Sequence, residues 1–228
     1  MPWQDDVSSG RMTILNDICA FTAGLRGEPV VTIAIDGVDG VGKTTFADQL
    51  GQALTTRGRS VIRASVDSFH NPRAVRYRRG RASPEGFYRD SYNYDALREN
   101  LLDPLSRGGS LRYRTAVFDC NADRVVASDW LTAPDNSILI LDGLFLHRRE
   151  LREYWNFSVF LDAPFEVTVP RGAARGEGFG DPDPLASSNE RYVTGNKIYF
   201  HEAQPKSHAT VLINLTELAR PTILSWRK

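Results

Sequence analysis

The chain is 228 residues long, 41% hydrophobic and 25% charged, with 28 Lys+Arg balanced by 28 Asp+Glu. A net charge of zero excludes the broad electrostatic pull on which nucleic-acid and anionic-membrane binding usually draw, and Cys19 and Cys120 stand in no metal-ligand spacing and form no disulfide framework. At about 150 residues per domain the length predicts one domain, 1–228, with an ordinary hydrophobic core.

In chain order, the N-terminus carries Asp5 and Asp6, and no run approaches the roughly 18 apolar residues of a membrane span, so a cytoplasmic protein without a membrane partner is expected. The Asn-x-Ser/Thr matches at Asn156 and Asn214 are read as chance in that setting. Met12, Ile14, Leu15, Ile18, Cys19, Phe21 and Leu25 recur at helical spacing and predict an amphipathic helix over 11–25, within an N-terminal segment 1–27. The run Val30 to Ile35 does not alternate, which suits a strand covered on both faces. A helix pattern follows at 44–55, and short apolar runs at 60–66, 137–141, 158–161 and 211–214 read as further strands. Strands alternating with helices predict an α/β fold, a doubly wound parallel sheet flanked by helices. The Gly- and Pro-rich stretch 171–188 reads as a mobile loop, and a small lid is expected at about 171–190.

The strongest signal lies between the first strand and the helix after it. Gly37-Val38-Asp39-Gly40-Val41-Gly42-Lys43-Thr44 satisfies G-x-x-x-x-G-K-[ST], followed by Thr45. Glycines at those positions let backbone N–H groups turn toward phosphate oxygens, the new helix presents its positive end, Lys43 meets the β/γ-phosphates and the Thr44 hydroxyl reaches Mg²⁺. ATP and Mg²⁺ are therefore the expected cofactors of a P-loop nucleotide-binding fold. Asp67 follows 61–66 and Asp142 follows Ile138-Leu139-Ile140-Leu141. Each would emerge at the carboxyl edge of a parallel sheet, where ligands bind. Thr44, Asp67 and Asp142 are thus the candidate metal ligands, and Asp67 the candidate base.

Asp67-Ser68-Phe69, Val117-Phe118-Asp119, Leu141-Asp142-Gly143 and Arg191-Tyr192, in that order, resemble the uridine kinase and phosphoribulokinase group of P-loop small-molecule kinases, over about 30–214. The resemblance implies that Asp67 serves the acceptor hydroxyl near Mg²⁺, that Lys43 and the lid arginines Arg171 and Arg175 approach the transferring phosphoryl group, and that His70, Tyr88, Asp90, Asp119 and Arg124 face the acceptor. The segment 118–124 lacks the histidine of uridine kinases and is one residue shorter, and Asp142 stands where the family usually has glutamate. The arginines Arg73, Arg76, Arg78, Arg79, Arg81 and Arg89 are read either as a clamp for an acceptor that already carries phosphate or as a solvated loop. The expected activity is ATP-dependent phosphoryl transfer to a hydroxyl of a nucleoside or related small metabolite. Alternatives are a phosphoribulokinase- or pantothenate-type acceptor, and a regulator that hydrolyses nucleotide without phosphorylating a metabolite. The expected partner is a small molecule, and self-association into a homo-oligomer is left open.

Overall fold

The computed structural model describes residues 3–25, 29–176 and 179–227; residues 1, 2, 26 and 27 of the expected N-terminal segment, and 177 and 178 of the expected lid, lie outside them. The strands are β1 (Val30–Gly37), β2 (Val61–Ser65), β3 (Arg112–Tyr113), β4 (Phe118–Asp119), β5 (Arg124–Val125), β6 (Leu131–Thr132), β7 (Ser137–Gly143), β8 (Phe157–Asp162), β9 (Val211–Asn214) and β10 (Thr222–Trp226). The helices are α1 (Trp3–Gly24), α2 (Lys43–Thr56), α3 (Arg73–Arg76), α4 (Pro84–Asp90), α5 (Tyr94–Leu97), α6 (Asp103–Leu105), α7 (Phe165–Ala174), α8 (Glu190–Ala203) and α9 (Pro205–His208).

Six strands form one sheet in the order β10-β9-β8-β1-β7-β2, parallel except for the antiparallel pairing of β10 with β9. Every residue of β1 and β7 is buried, which is why neither run alternates. Val31, Ile33 and Ile35 pack with Ile14, Leu15 and Ile18 of α1 and with Phe46, Leu50 and Leu54 of α2. Val30 and Ala34 point the other way, into a second core with Phe69, Phe145 and Tyr199 of α8. The sheet is therefore covered by helices on both sides, and the expected α/β architecture is the one found.

The five parallel strands of the main sheet fall within two residues of their expected bounds. Three features differ. Helix α1 begins earlier than the apolar stripe alone indicates. β10 is an edge strand of partly exposed residues with a register shift between Ile223 and Ser225, too short and irregular for a period-two signal. The stretch 171–188 is no simple loop: α7 runs through Pro170 to Ala174, and the chain closes again with Phe179 packed on Tyr192 and against Gly172. A Cβ on Gly172 would stand 2.3 Å from the Phe179 ring, so the glycine serves close packing between α7 and Phe179. No helix among the described residues is long and apolar enough to cross a membrane.

Candidate active site

The P-loop leaves the carboxyl end of β1 with its first peptide fastened from below. Asp36, fully buried, accepts from the Gly37 N–H through Oδ1 at 2.7 Å. Its Oδ2 accepts from the His147 backbone N–H at 3.1 Å, from the Tyr199 hydroxyl, and contacts His147 Nδ1 at 2.7 Å. Val38 and Val41 bury their side chains in the core, which pins the loop, and the Val41 N–H turns back to the Val38 carbonyl at 3.4 Å. Gly40 adopts φ +75°, and a Cβ there would come 2.2 Å from the Thr168 carbonyl of α7. Gly42, at φ +101°, forms the left-handed cap from which α2 starts. Lys43 Nζ donates to the Val38 carbonyl at 2.9 Å, so the ammonium folds back across its own loop. Thr45 is exposed on the first turn of α2.

Thr44 and Asp142 meet directly. Thr44 Oγ1 donates to Asp142 Oδ2 at 2.8 Å, joining the first turn of α2 to the end of β7. Asp142 is 2% exposed, and its Oδ1 is paired at 2.9 Å with Arg63 Nη2, which also bonds Asp48 of α2. Nothing in the sequence motif points to Arg63; the only available signal was its place on the neighbouring strand β2, in register with Ile140. A hydroxyl beside a carboxylate is a hard-oxygen donor set that suits Mg²⁺. Among the described residues no cluster of three or more His, Cys, Asp or Glu could cage a metal alone. That fits a metal shared with nucleotide phosphates, as Mg²⁺ sites commonly are.

Asp67 sits one step beyond β2, on a short 3-10 turn capped by Ser65. Its Oδ1 accepts from the Tyr92 hydroxyl at 3.0 Å. Burial, then the Asp67 charge, push the Tyr92 phenol far above its usual range, so it remains a donor. His70 Nδ1 lies 2.8 Å from the Asp67 carbonyl oxygen. A carbonyl only accepts, so Nδ1 carries the proton and Nε2 is left as an acceptor. Burial pushes the His70 imidazole down, which favours that neutral form. Asp39 of the P-loop also lines the cleft; its Oδ2 accepts from Asn196 of α8 at 3.3 Å. Burial pushes the Asp39 carboxyl up, with Lys43 opposing and Asp67 adding to the rise. The motif reading treats Asp39 only as part of the cradle and misses this second carboxylate.

Asp39, Gly40, Gly42, Lys43, Thr44, Asp67, His70, Asp119, Asp142 and Arg175 line one open cleft of about 880 Å³. Asp119 accepts from the Ala122 and Asn121 N–H groups at 3.0 and 2.9 Å, which hold its carboxyl below the usual range.

Of the expected cradle residues, Gly37, Val38, Val41 and Thr45 do not line the cleft, and four of the expected catalytic and acceptor-side residues are not brought to its wall. Tyr88 is 4% exposed and packs on Phe145 and Tyr199 in the core. The Asp90 carboxylate is spent on Arg78 and on Arg79 Nε, the latter at 2.9 Å; burial raises its pKa, but the two guanidinium partners outweigh burial and hold it low. Arg124 pairs across the small hairpin with Asp119 and is exposed. Arg171 turns its guanidinium to the Leu215 and Thr216 carbonyls, so it parts from Arg175 although both stand at the end of α7. Two further arginines, Arg76 and Arg191, line the cleft, beside Tyr77, Tyr92 and Tyr192.

Residues 32–176 match the model of the Phosphoribulokinase / Uridine kinase family. The chain belongs to that family. It is a P-loop small-molecule kinase, and its family uses ATP. A search of curated proteins finds no match. Among solved structures, the phosphoribulokinase/uridine kinase fold recurs in a possible uridine kinase from Bacillus stearothermophilus, with 23% identity over 88% of this chain and 97% of that one, at TM-score 0.69. A D-glycerate 3-kinase from Cryptococcus neoformans var. grubii shares 10% identity over 96% of this chain and 97% of that one, at TM-score 0.57. The phosphoribulokinase from Rhodobacter spheroides shares 15% over 88% and 76%, at TM-score 0.55. At these identities the likeness is one of fold.

Proposed function

We propose that this kinase transfers the γ-phosphoryl group of ATP to a hydroxyl of a nucleoside or related small metabolite, with Asp67 as the base. The observation that carries the reading is the convergence in one cleft of the P-loop, the Thr44–Asp142 pair and an Asp67 carboxylate with one oxygen held by Tyr92. Loop amides and Lys43 bind the β- and γ-phosphates. Thr44 and Asp142 would hold Mg²⁺ with Asp67 beside it, and the metal would neutralise charge between the β- and γ-phosphates.

Asp67 Oδ2 accepts no hydrogen bond from the described residues, so it is the oxygen that takes the acceptor proton. The acceptor oxygen then forms the new P–O bond as the bond from the γ-phosphorus to the bridging oxygen breaks, and ADP leaves. Tyr92 holds the other oxygen and fixes the carboxylate plane. His70 Nε2 offers a second acceptor for a substrate hydroxyl. Arg175, on the cleft wall, stabilises charge on the transferring group, and the segment from Arg171 to Glu190 acts as the lid that excludes water. Arg171, tied to backbone carbonyls, braces that lid without entering the chemistry. ADP release with ATP and Mg²⁺ against nucleosides, pentose phosphates, pantothenate and nucleoside monophosphates tests the reading. Turnover must depend on an acceptor; ATP consumption indifferent to every acceptor rejects it.

A further inference from the structure

The turn after β7 is built at a cost that packing alone does not explain. Phe145 takes φ 64° with its ring fully buried, a left-handed backbone that a bulky residue seldom adopts. Two residues on, His147 is 1% exposed, and its Nε2 is buried without a hydrogen-bond partner among the described residues. Against it lies Asp36, a carboxylate with no exposure at all. Backbone strain, an unmatched ring nitrogen and a buried acid each disfavour the folded state. All three meet beneath the P-loop.

Together they fix one carboxylate. After the left-handed step at Phe145, the His147 N–H points at Asp36 Oδ2 at 3.1 Å, and the ring of the same residue brings Nδ1 to that oxygen at 2.7 Å. A carboxylate only accepts, so Nδ1 carries the proton. The Tyr199 hydroxyl donates to the same oxygen and accepts from the His147 N–H at 2.9 Å. Burial, then the Asp36 charge, push the Tyr199 phenol far above its usual range, so it stays a donor. Its ring packs on those of Tyr88 and Phe145, so the strained residue also steadies the tyrosine. Two donors would fill the lone pairs of one oxygen; a third adds constraint rather than pairing. Oδ1 is left to a single group among the described residues, the Gly37 N–H at 2.7 Å.

We infer that His147 and Tyr199 are positioning residues for the phosphate donor: acting through Asp36, they fix the peptide at which the cradle begins, and with it the course of the loop that binds the phosphates. The inference rests on nucleotide binding by the P-loop and is independent of the acceptor. Neither residue touches the cleft, so both act at one remove.

The test measures ADP and Mg²⁺ binding to the full chain by calorimetry, well below the melting temperature, together with hydrogen exchange at the Gly37 amide. His147→Leu removes the ring donor, whereas His147→Asn puts a side-chain N–H near the place of Nδ1. In His147→Leu the ADP affinity should fall about tenfold or more, the worth of a hydrogen bond to a charged group. The Gly37 amide should lose protection relative to the other amides of β1. His147→Asn should recover most of both. Tyr199→Phe, which loses one oxygen, should shift both in the same direction, and it carries the test if His147→Leu does not fold. A role in stability alone would lower the melting temperature and leave ADP affinity and relative Gly37 protection unchanged in the folded variants; that result overturns the inference. Equal losses in His147→Leu and His147→Asn overturn it too. Both results leave the kinase reading intact, which fails instead if the wild type binds no nucleotide or releases ADP without regard to acceptor.

Discussion

Tyr92 donates its hydroxyl to Asp67 Oδ1 at 3.0 Å, so the proposed base is held by one oxygen and presented by the other. Asp67→Asn is expected to lower phosphoryl transfer by about 10²- to 10⁴-fold, the usual worth of a positioned base. Nucleotide affinity should change little, since the P-loop is untouched. Tyr92→Phe keeps the carboxylate but frees its plane, and should cost less than Asp67→Asn. Steady-state kinetics with calorimetric ADP binding check both; near-wild-type turnover in Asp67→Asn would remove it from the chemistry.

Lys43→Ala should weaken ADP and ATP binding and depress kcat together, because the ammonium that now rests on the Val38 carbonyl is the only cation of the P-loop itself. Binding measured by calorimetry and turnover measured by ADP release should both fall. An unchanged nucleotide affinity would contradict the loop assignment.

Arg63→Met leaves Asp142, 2% exposed, with one oxygen unpaired. The expected loss of stability is about 1–3 kcal/mol, the toll of an unmatched buried acceptor, reduced because Arg63 is itself partly solvated. Chemical denaturation reads this directly. The same variant should alter the Mg²⁺ concentration needed for half-maximal activity, since Arg63 neutralises the carboxylate that would face the metal.

Asp39→Asn carries a pH signature. Burial raises the carboxyl above its usual range, so the stability associated with its neutral form is fully present below the unfolded pKa and is lost as pH rises through the folded one. The asparagine variant does not titrate. Its melting temperature should therefore gain on the wild type over the window that opens as pH rises above the ordinary carboxylate pKa of about 4. A difference that stays flat across that window would mean that Asp39 titrates as an ordinary surface carboxyl.

Gly40→Ala should be among the more damaging single changes in the loop. The added Cβ would meet the Thr168 carbonyl at 2.2 Å, and φ +75° is itself unfavourable for alanine by about 1–2 kcal/mol. A lowered melting temperature together with weakened ADP binding is expected. Loss of neither would show that the loop can move off α7.

The sheet and the cradle were legible because their signals are local. Val30 to Ile35 is apolar without alternation because helices cover both faces, and the glycines of 37–42 announce a backbone turned toward phosphate. The acceptor side was harder to read, because it is built from side chains whose partners lie far along the chain. Asp90 looked like a substrate ligand until Arg78 and Arg79 folded back on it. Arg171 and Arg175 were expected together as lid arginines, yet α7 ends between them and Arg171 finds its acceptors more than forty residues away. Arg63 belongs to no motif, and Arg191 entered only through the family resemblance; what each does comes from what it faces.

The anchoring of Gly37 by Asp36 has a thermodynamic corollary. With one carboxylate joining the first loop peptide to His147 and Tyr199, the amides that greet a triphosphate are already oriented before it arrives. Little backbone entropy is then surrendered on nucleotide entry, and affinity for the donor is set by preorganisation from beneath the sheet edge as much as by contacts above it.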